Sequence, residues 1–227
     1  MATEATKTTK EPTLYKKHRD QLETGDIILM ADNTLASLCL RYGTGCHWSH
    51  VGMVIKLGED SVMLWESMPW SDLKDRDTGE YTMGVMLVPL SLRISRYRGR
   101  VAYRKLDPGQ QNRDDFGPKL EKLRGELAGR PYERDLFALI GAEFDHFVPQ
   151  NKVDLSSLFC SELVAEAYQR LELLLIEEQG GLPADEYTPE NFSSFGPRVL
   201  NLQKGAQLGE EILLKEWVLA GDIAQKK

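Results

Sequence analysis

The sequence of 227 residues predicts an α+β fold in which a mostly antiparallel sheet packs against helices. Short apolar runs joined by turn residues occupy the first half of the chain, and apolar residues at helical spacing dominate the second half. Hydrophobic residues make up 41% of the chain and charged residues 28%, as in globular proteins that bury a core. We predict one domain, residues 21–227, after a flexible N-terminal tail, residues 1–20, which has few large apolar side chains.

Alternating or apolar runs bounded by turn residues predict the strands of the sheet. In chain order these runs span residues 27–30, 49–56, 61–66, 83–90 and 100–106. The second and third runs are joined by Leu-Gly-Glu-Asp, which has the length and composition of a hairpin connection. Residues 199–202 and 212–217 are candidates for a closing hairpin. Because side chains alternate along a strand, His50 and Gly52 share one face of the second run, and this face is the less bulky one.

Apolar residues at intervals of three and four predict the helices. The predicted helices span residues 34–42, 114–128, 134–144 and 158–171. Asp154 or Ser156 is the candidate N-terminal cap of the last helix. Cys160 would then lie in the first turn of that helix.

The charge and the cysteine content limit the partners and the location of the protein. A formal net charge of -7 and a pI near 5.2 argue against nucleic acid, because Lys and Arg are not in excess to displace counterions. Three cysteines are an odd number and predict a reducing, cytoplasmic location, with a Cys39–Cys46 disulfide as the alternative left open. The polar N-terminus lacks the apolar segment of a signal peptide, and no run reaches the ~18 apolar residues of a membrane span. We expect a soluble protein or one attached only peripherally to membranes.

Cys160, His50 and Glu66 are the candidate catalytic residues. A cysteine attacks as a thiolate, so a nucleophilic cysteine needs a positive environment. A helix start would supply part of it for Cys160, with a backbone N–H that could serve an oxyanion, and an imidazolium at His50 would supply the rest. Glu66 ends an otherwise apolar run and needs a buried partner. Across the predicted hairpin it lies near residue 51, close enough to orient the ring of His50.

Five motifs that include these residues resemble, in their order, the circularly permuted branch of the NlpC-type papain-like superfamily. They are Gly25-Asp26, Trp48-Ser49-His50, Trp65-Glu66, Gly129-Arg130-Pro131-Tyr132 and Phe159-Cys160-Ser161-Glu162. They are similar to motifs of the YaeF/YiiX type and of related poxvirus proteins, and more distantly to lecithin:retinol acyltransferase. The resemblance covers about residues 21 to 200. It implies a papain-like fold whose His strand precedes its Cys helix, and a triad on Cys160, His50 and Glu66.

The resemblance also implies the class of reaction. We predict a cysteine-dependent amidase, peptidase or acyl hydrolase that acts on a small peptide, amide or acyl-lipid substrate through a thioester, without a cofactor. Acyl transfer in place of hydrolysis stays open. Tyr132, which follows Gly-Arg-Pro, and Trp48 are the candidate substrate-binding residues.

Two other classes of function compete with this reading. One is a catalytically inactive module of the same fold that binds a peptide or a lipid. The other is a zinc site built from Cys46, His47 and His50 with one carboxylate. Because strand alternation would send His47 and His50 to opposite faces, we predict no metal ligands. The sequence does not indicate an oligomeric state.

Overall fold

The structure is a computed structural model that describes residues 13–32, 47–68, 71–127, 155–195 and 200–216, with the backbone alone for 155–159. Its strands are β1 Ile27–Ala31, β2 His50–Leu57, β3 Ser61–Met68, β4 Gly84–Pro89, β5 Arg100–Asp107 and β6 Gln207–Lys215. Its α-helices are α1 Thr13–His18, α2 Leu90–Arg96, α3 Phe116–Leu127 and α4 Leu155–Arg170. Short 3-10 helices span Arg19–Gln21, Arg113–Asp115, Glu177–Gln179, Ala184–Glu186 and Pro189–Phe192.

The six strands form a single antiparallel sheet in the order β4-β3-β2-β1-β5-β6 within the described ranges. The β2–β3 connection is the predicted hairpin, which turns through residues 58–60 and pairs Leu57 with Ser61. The α4 helix packs against β2 and β3. The predicted α+β class, with an antiparallel sheet packed against the helix that carries Cys160, is therefore confirmed.

Side-chain alternation sorts the sheet into two buried faces. Val51 and Met53 of β2 lie on the face that packs against α3 and α4. Val54 lies on the opposite face, which packs against α1 and α2. The predicted alternation of β2 is thus observed, and it leaves apolar cores on both sides of the sheet.

The structure corrects the predicted N-terminal boundary. Residues 13–20 were predicted as part of a flexible tail, but Thr13–His18 form α1 and its Tyr15 is only 1% exposed. This helix packs against β6. A single aromatic side chain in a polar segment is enough to bury one face of a short helix. Residues 1–12 lie outside the described part of the chain.

Two predictions for the second half of the chain also change. The predicted closing hairpin is not formed by residues 200–202, which have no strand structure, and β6 pairs instead with β5. The helix that carries Cys160 begins at Leu155 and not at residue 158. Ser156 lies inside its first turn, so Ser156 does not cap the helix. The predicted helices at 34–42 and 134–144 lie outside the described residues.

Candidate active site

His50 and Glu66 are joined across the β2–β3 hairpin. The Nε2 atom of His50 lies 2.8 Å from Oε2 of Glu66. The register pairs Met53 with Trp65, so its continuation sets Glu66 opposite Gly52, one residue from the position that we predicted. His50 is two residues further along the strand, on the diagonal that long side chains can bridge.

Gly52 makes this close approach of the two strands possible. A Cβ atom built on Gly52 would lie 2.7 Å from Cδ1 of Leu64, 3.1 Å from the carbonyl oxygen of Trp65 and 3.3 Å from Cβ of Glu66. Atoms of β3 therefore occupy the space that a side chain at position 52 would need. We predicted that Gly52 leaves room for another group beside His50. That room is filled by β3, including Cβ of Glu66.

The imidazole of His50 also interacts with the thiol of Cys160. Burial alone would lower the pKa of His50, but the charge and hydrogen bond of Cys160, followed by those of Glu66, raise it to about 10. Nε2 of the ring faces Oε2 of Glu66. Because both nitrogens of an imidazolium donate, a protonated His50 serves both partners together. The structure thus brings the three predicted residues into one chain of contacts.

Glu66 is the deeply buried member of this chain, with 0% of its side chain exposed. A carboxylate in such a place needs compensating charge. It receives this charge from His50 on Oε2 and from Nε of Arg93, 2.7 Å from Oε1. Burial by itself would raise the pKa of Glu66, but the Arg93 guanidinium and then His50 outweigh it and hold that pKa below its usual value.

Arg93 was missed in the sequence analysis, although the sequence contains a signal for it. Arg93 lies on α2 between Leu90 and Ile94, at the i+3 and i+4 spacing of one helix face, and all three are buried. A charged residue on an apolar helix face has to find an opposite charge inside the protein. Which carboxylate it meets depends on how α2 packs on the sheet.

The helix position of Cys160 differs from the prediction. Since α4 begins at Leu155, Cys160 lies in the second turn and not the first. Only the first four N–H groups of a helix lack an intrahelical acceptor, so the backbone N–H of Cys160 is not available for an oxyanion. The helix dipole also weakens beyond the first turn. The positive charge beside the thiol therefore comes mainly from His50.

The chain around Cys160 is firmly anchored. Cys160 and Ser161 are both 0% exposed. Ser161 donates a hydrogen bond from Oγ to the carbonyl oxygen of Tyr187. This bond ties α4 to the segment of short 3-10 helices that follows it, in which Tyr187 and Phe192 pack together. His50, with 12% of its side chain exposed, retains some contact with solvent.

The predicted substrate-binding residues are placed less clearly. Trp48 is 2% exposed and belongs to the α4-side core, with the Arg100 guanidinium 4.3 Å from its ring centroid. Its ring is thus largely committed to packing, and contact with a substrate stays a prediction. Tyr132 lies outside the described residues.

The described ranges contain no group of three His, Cys, Asp or Glu side chains arranged to hold a metal ion. Of the alternative zinc set, Cys46 lies outside those ranges, and His50 is bonded to Glu66. The ring of His47 packs edge-on against Phe195 at 6.1 Å between centroids. His47 precedes β2, which begins at His50, and the two side chains have different surroundings. None of the described helices is long and apolar enough to cross a membrane.

Comparisons with known proteins give limited similarity. No family model matches the chain. Over 145 residues, 60% of this chain, it is 30% identical to the protein transport protein sec24 of Schizosaccharomyces pombe, but the match spans 14% of that protein. The chain is 21% identical to the metalloprotein yiiX from Escherichia coli O157:H7, which is known from a crystal structure. The match covers 66% of this chain and 67% of that chain, at a TM-score of 0.43. The geometry of the site therefore carries the functional argument.

Proposed function

We propose that the protein is a cysteine-dependent hydrolase of amides or esters, with Cys160 as nucleophile, His50 as general base and acid, and Glu66 as the residue that orients His50. The observation that supports this proposal is the position of the His50 imidazole between a thiol and a buried carboxylate. A pKa of about 10 keeps that imidazole protonated at neutral pH, as a thiolate–imidazolium pair requires.

The reaction then proceeds in two halves. The thiolate of Cys160 attacks the acyl carbon, and His50 donates its proton to the departing amine or alcohol, which leaves an acyl thioester on Cys160. His50, now neutral, takes a proton from water as the water attacks the thioester. The acid is released, and the thiolate–imidazolium pair is restored. An acceptor alcohol or amine in place of water would give acyl transfer by the same steps.

A rival proposal, an inactive module that binds a peptide or a lipid, is favoured by one observation: Cys160 has no exposed surface. The two proposals differ in the chemistry of the thiol. An active nucleophile is alkylated at a pH where ordinary thiols are still protonated, whereas a buried structural cysteine is not.

The test is the rate of alkylation by iodoacetamide as a function of pH, with each adduct mapped by mass spectrometry. Cys39 and Cys46 serve as internal references, and the urea-denatured protein gives the unhindered rate. We expect Cys160 to react well below pH ~8.5, where a free thiol ionises, and to lose this behaviour in His50→Ala. The matched control is His47→Ala, which removes a nearby imidazole that does not contact Glu66 and should leave the profile unchanged.

Turnover provides the second arm of the test, with acyl esters and amides as substrates. Cys160→Ala and His50→Ala should each abolish turnover. Both variants should still fold, with His50→Ala less stable than the wild type because it removes a partner of the buried Glu66 carboxylate. Full activity in either variant would exclude the triad. A Cys160 that is inert in the native protein, both with and without His50, would favour the binding module.

A further inference from the structure

Arg93 links the buried carboxylate of Glu66 to Ser71 and Asp72 in the connection between β3 and β4. Its guanidinium donates from Nε to Oε1 of Glu66 at 2.7 Å. The two terminal nitrogens donate to Oδ1 of Asp72 at 3.2 Å and to Oγ of Ser71 at 3.0 Å. The side chain of Arg93 is itself only 5% exposed. Each nitrogen of the guanidinium thus has a partner, and the planar group is fixed in orientation.

The charges of the site balance only when Arg93 is counted. With Cys160 as thiolate and His50 as imidazolium, Glu66 would leave one uncompensated negative charge in a place without solvent. The guanidinium of Arg93 neutralises it. The side chain of Asp72 is 49% exposed, so its charge can be balanced by water and by Arg96, which lies on α2 like Arg93. The four buried charges, two positive and two negative, therefore compensate one another. Removal of any one of them affects the other three.

We propose that Arg93 is a positioning residue for the nucleophile: it keeps Glu66 ionised and turned with Oε2 toward His50, and so stabilises the charged form of the Cys160–His50 pair. Arg93 does not touch the thiol, and it acts through Glu66. This inference rests on the proposed function, because it assigns a residue to the same site.

The proposal predicts a change in pH dependence, since Glu66 is the group through which Arg93 acts. Glu66 is faced by His50 from β2, by Arg93 from α2 and, beyond His50, by Cys160 from α4. Met86 of β4 lies beside it in the sheet and carries no charge. Without the guanidinium, burial favours the neutral carboxyl group, and a neutral Glu66 no longer supports the imidazolium. The charged pair should then form only at higher pH.

The experiment compares the pH profile of Cys160 alkylation by iodoacetamide in the full chain for the wild type and for Arg93→Met. We call the rise of the alkylation rate with pH the acid limb of the profile. An opposite charge in direct contact lowers a carboxylate pKa by about 1–3 units, so in Arg93→Met the acid limb should move to a pH higher by about 1–2 units. Below the limb this is a roughly 10- to 100-fold slower alkylation. The matched control is Arg96→Met. Arg96 also lies on α2, and it contacts Asp72 but not Glu66. It should keep the wild-type limb.

Two further variants make the result specific. Arg93→Lys retains the charge but not the planar group whose three nitrogens bond to Glu66, Asp72 and Ser71. It should shift the acid limb in the same direction by a smaller amount. In a Glu66→Gln background, Arg93→Met should add less than about a twofold change, because its partner is already neutral. An additional full shift there would contradict action through Glu66.

The outcomes separate the two levels of the argument. A wild-type Cys160 that is alkylated like an ordinary thiol overturns the proposed function, and the role of Arg93 with it. A wild-type profile at low pH that a folded Arg93→Met leaves unchanged overturns the role of Arg93 alone. If Arg93→Met does not fold, Arg93→Lys decides: an upward shift of the limb supports the role, and an unchanged limb refutes it.

Discussion

Replacing Gly52 by alanine should destabilise the protein and displace the carboxylate that orients His50. The new Cβ would meet the side chain of Leu64 at 2.7 Å and the backbone oxygen of Trp65 at 3.1 Å. Leu64 is completely buried, and a backbone oxygen in a paired strand cannot rotate away, so neither contact relaxes freely. Overpacking of this kind costs about 1–3 kcal/mol. The restriction of the unfolded chain returns roughly 0.5–1 kcal/mol, so an overpacking cost in the middle of its range, about 2 kcal/mol, leaves a net loss of about 1–1.5 kcal/mol.

This loss is measurable as a fall in the melting temperature of roughly 2–6 °C for a chain of this size. The matched control is Gly125→Ala in α3, an exposed helical position where a new Cβ meets nothing within 4 Å. It should stabilise the protein by about 1 kcal/mol, because alanine favours helix more than glycine does. A Gly52→Ala protein as stable as the wild type, or more stable, would show that β2 and β3 can separate without penalty. The argument for a required close approach would then fail.

Two other predictions follow from single contacts. By NMR, the ring protons of His50 should titrate near pH 10 in the wild type and at lower pH in Cys160→Ala, because the thiol is the largest influence that raises this pKa. The unfolded chain loses the same proton near pH ~6.5, so the contribution of His50 to stability is complete below that pH and disappears as the pH rises to about 10. A His50 that titrates near 6.5 in the native protein would contradict its pairing with Cys160 and Glu66. The other prediction concerns Lys215, which donates from Nζ to the carbonyl oxygens of Ile94, at 2.7 Å, and of Tyr97 at the end of α2. Lys215→Met should lower the free energy of unfolding by about 1–2 kcal/mol and speed amide exchange in α2, and unchanged exchange would refute the anchoring.

The elements near the site illustrate what local patterns can predict. The bounds of β2 and β3 differ from the predicted runs by at most two residues, because each run is apolar, is bounded by turn residues and is joined to the other by a short hairpin. The same hairpin makes the neighbourhood of His50 and Glu66 a local property of the chain. The N-terminal helix was missed because a single buried aromatic residue, Tyr15, carries too little periodicity to be recognised.

The sequence by itself determined the α+β class, the strands that hold His50 and Glu66, and the presence of Cys160 on a helix, since these depend on periodicity over a few residues. Only the tertiary structure decided that the thiol on α4 meets the imidazole on β2, although 110 positions separate residues 50 and 160 in the chain. It also decided that Arg93 meets Glu66, from 27 residues away. Contacts of this kind depend on how helices pack against the sheet. The need of buried charges for partners then selects which residues meet.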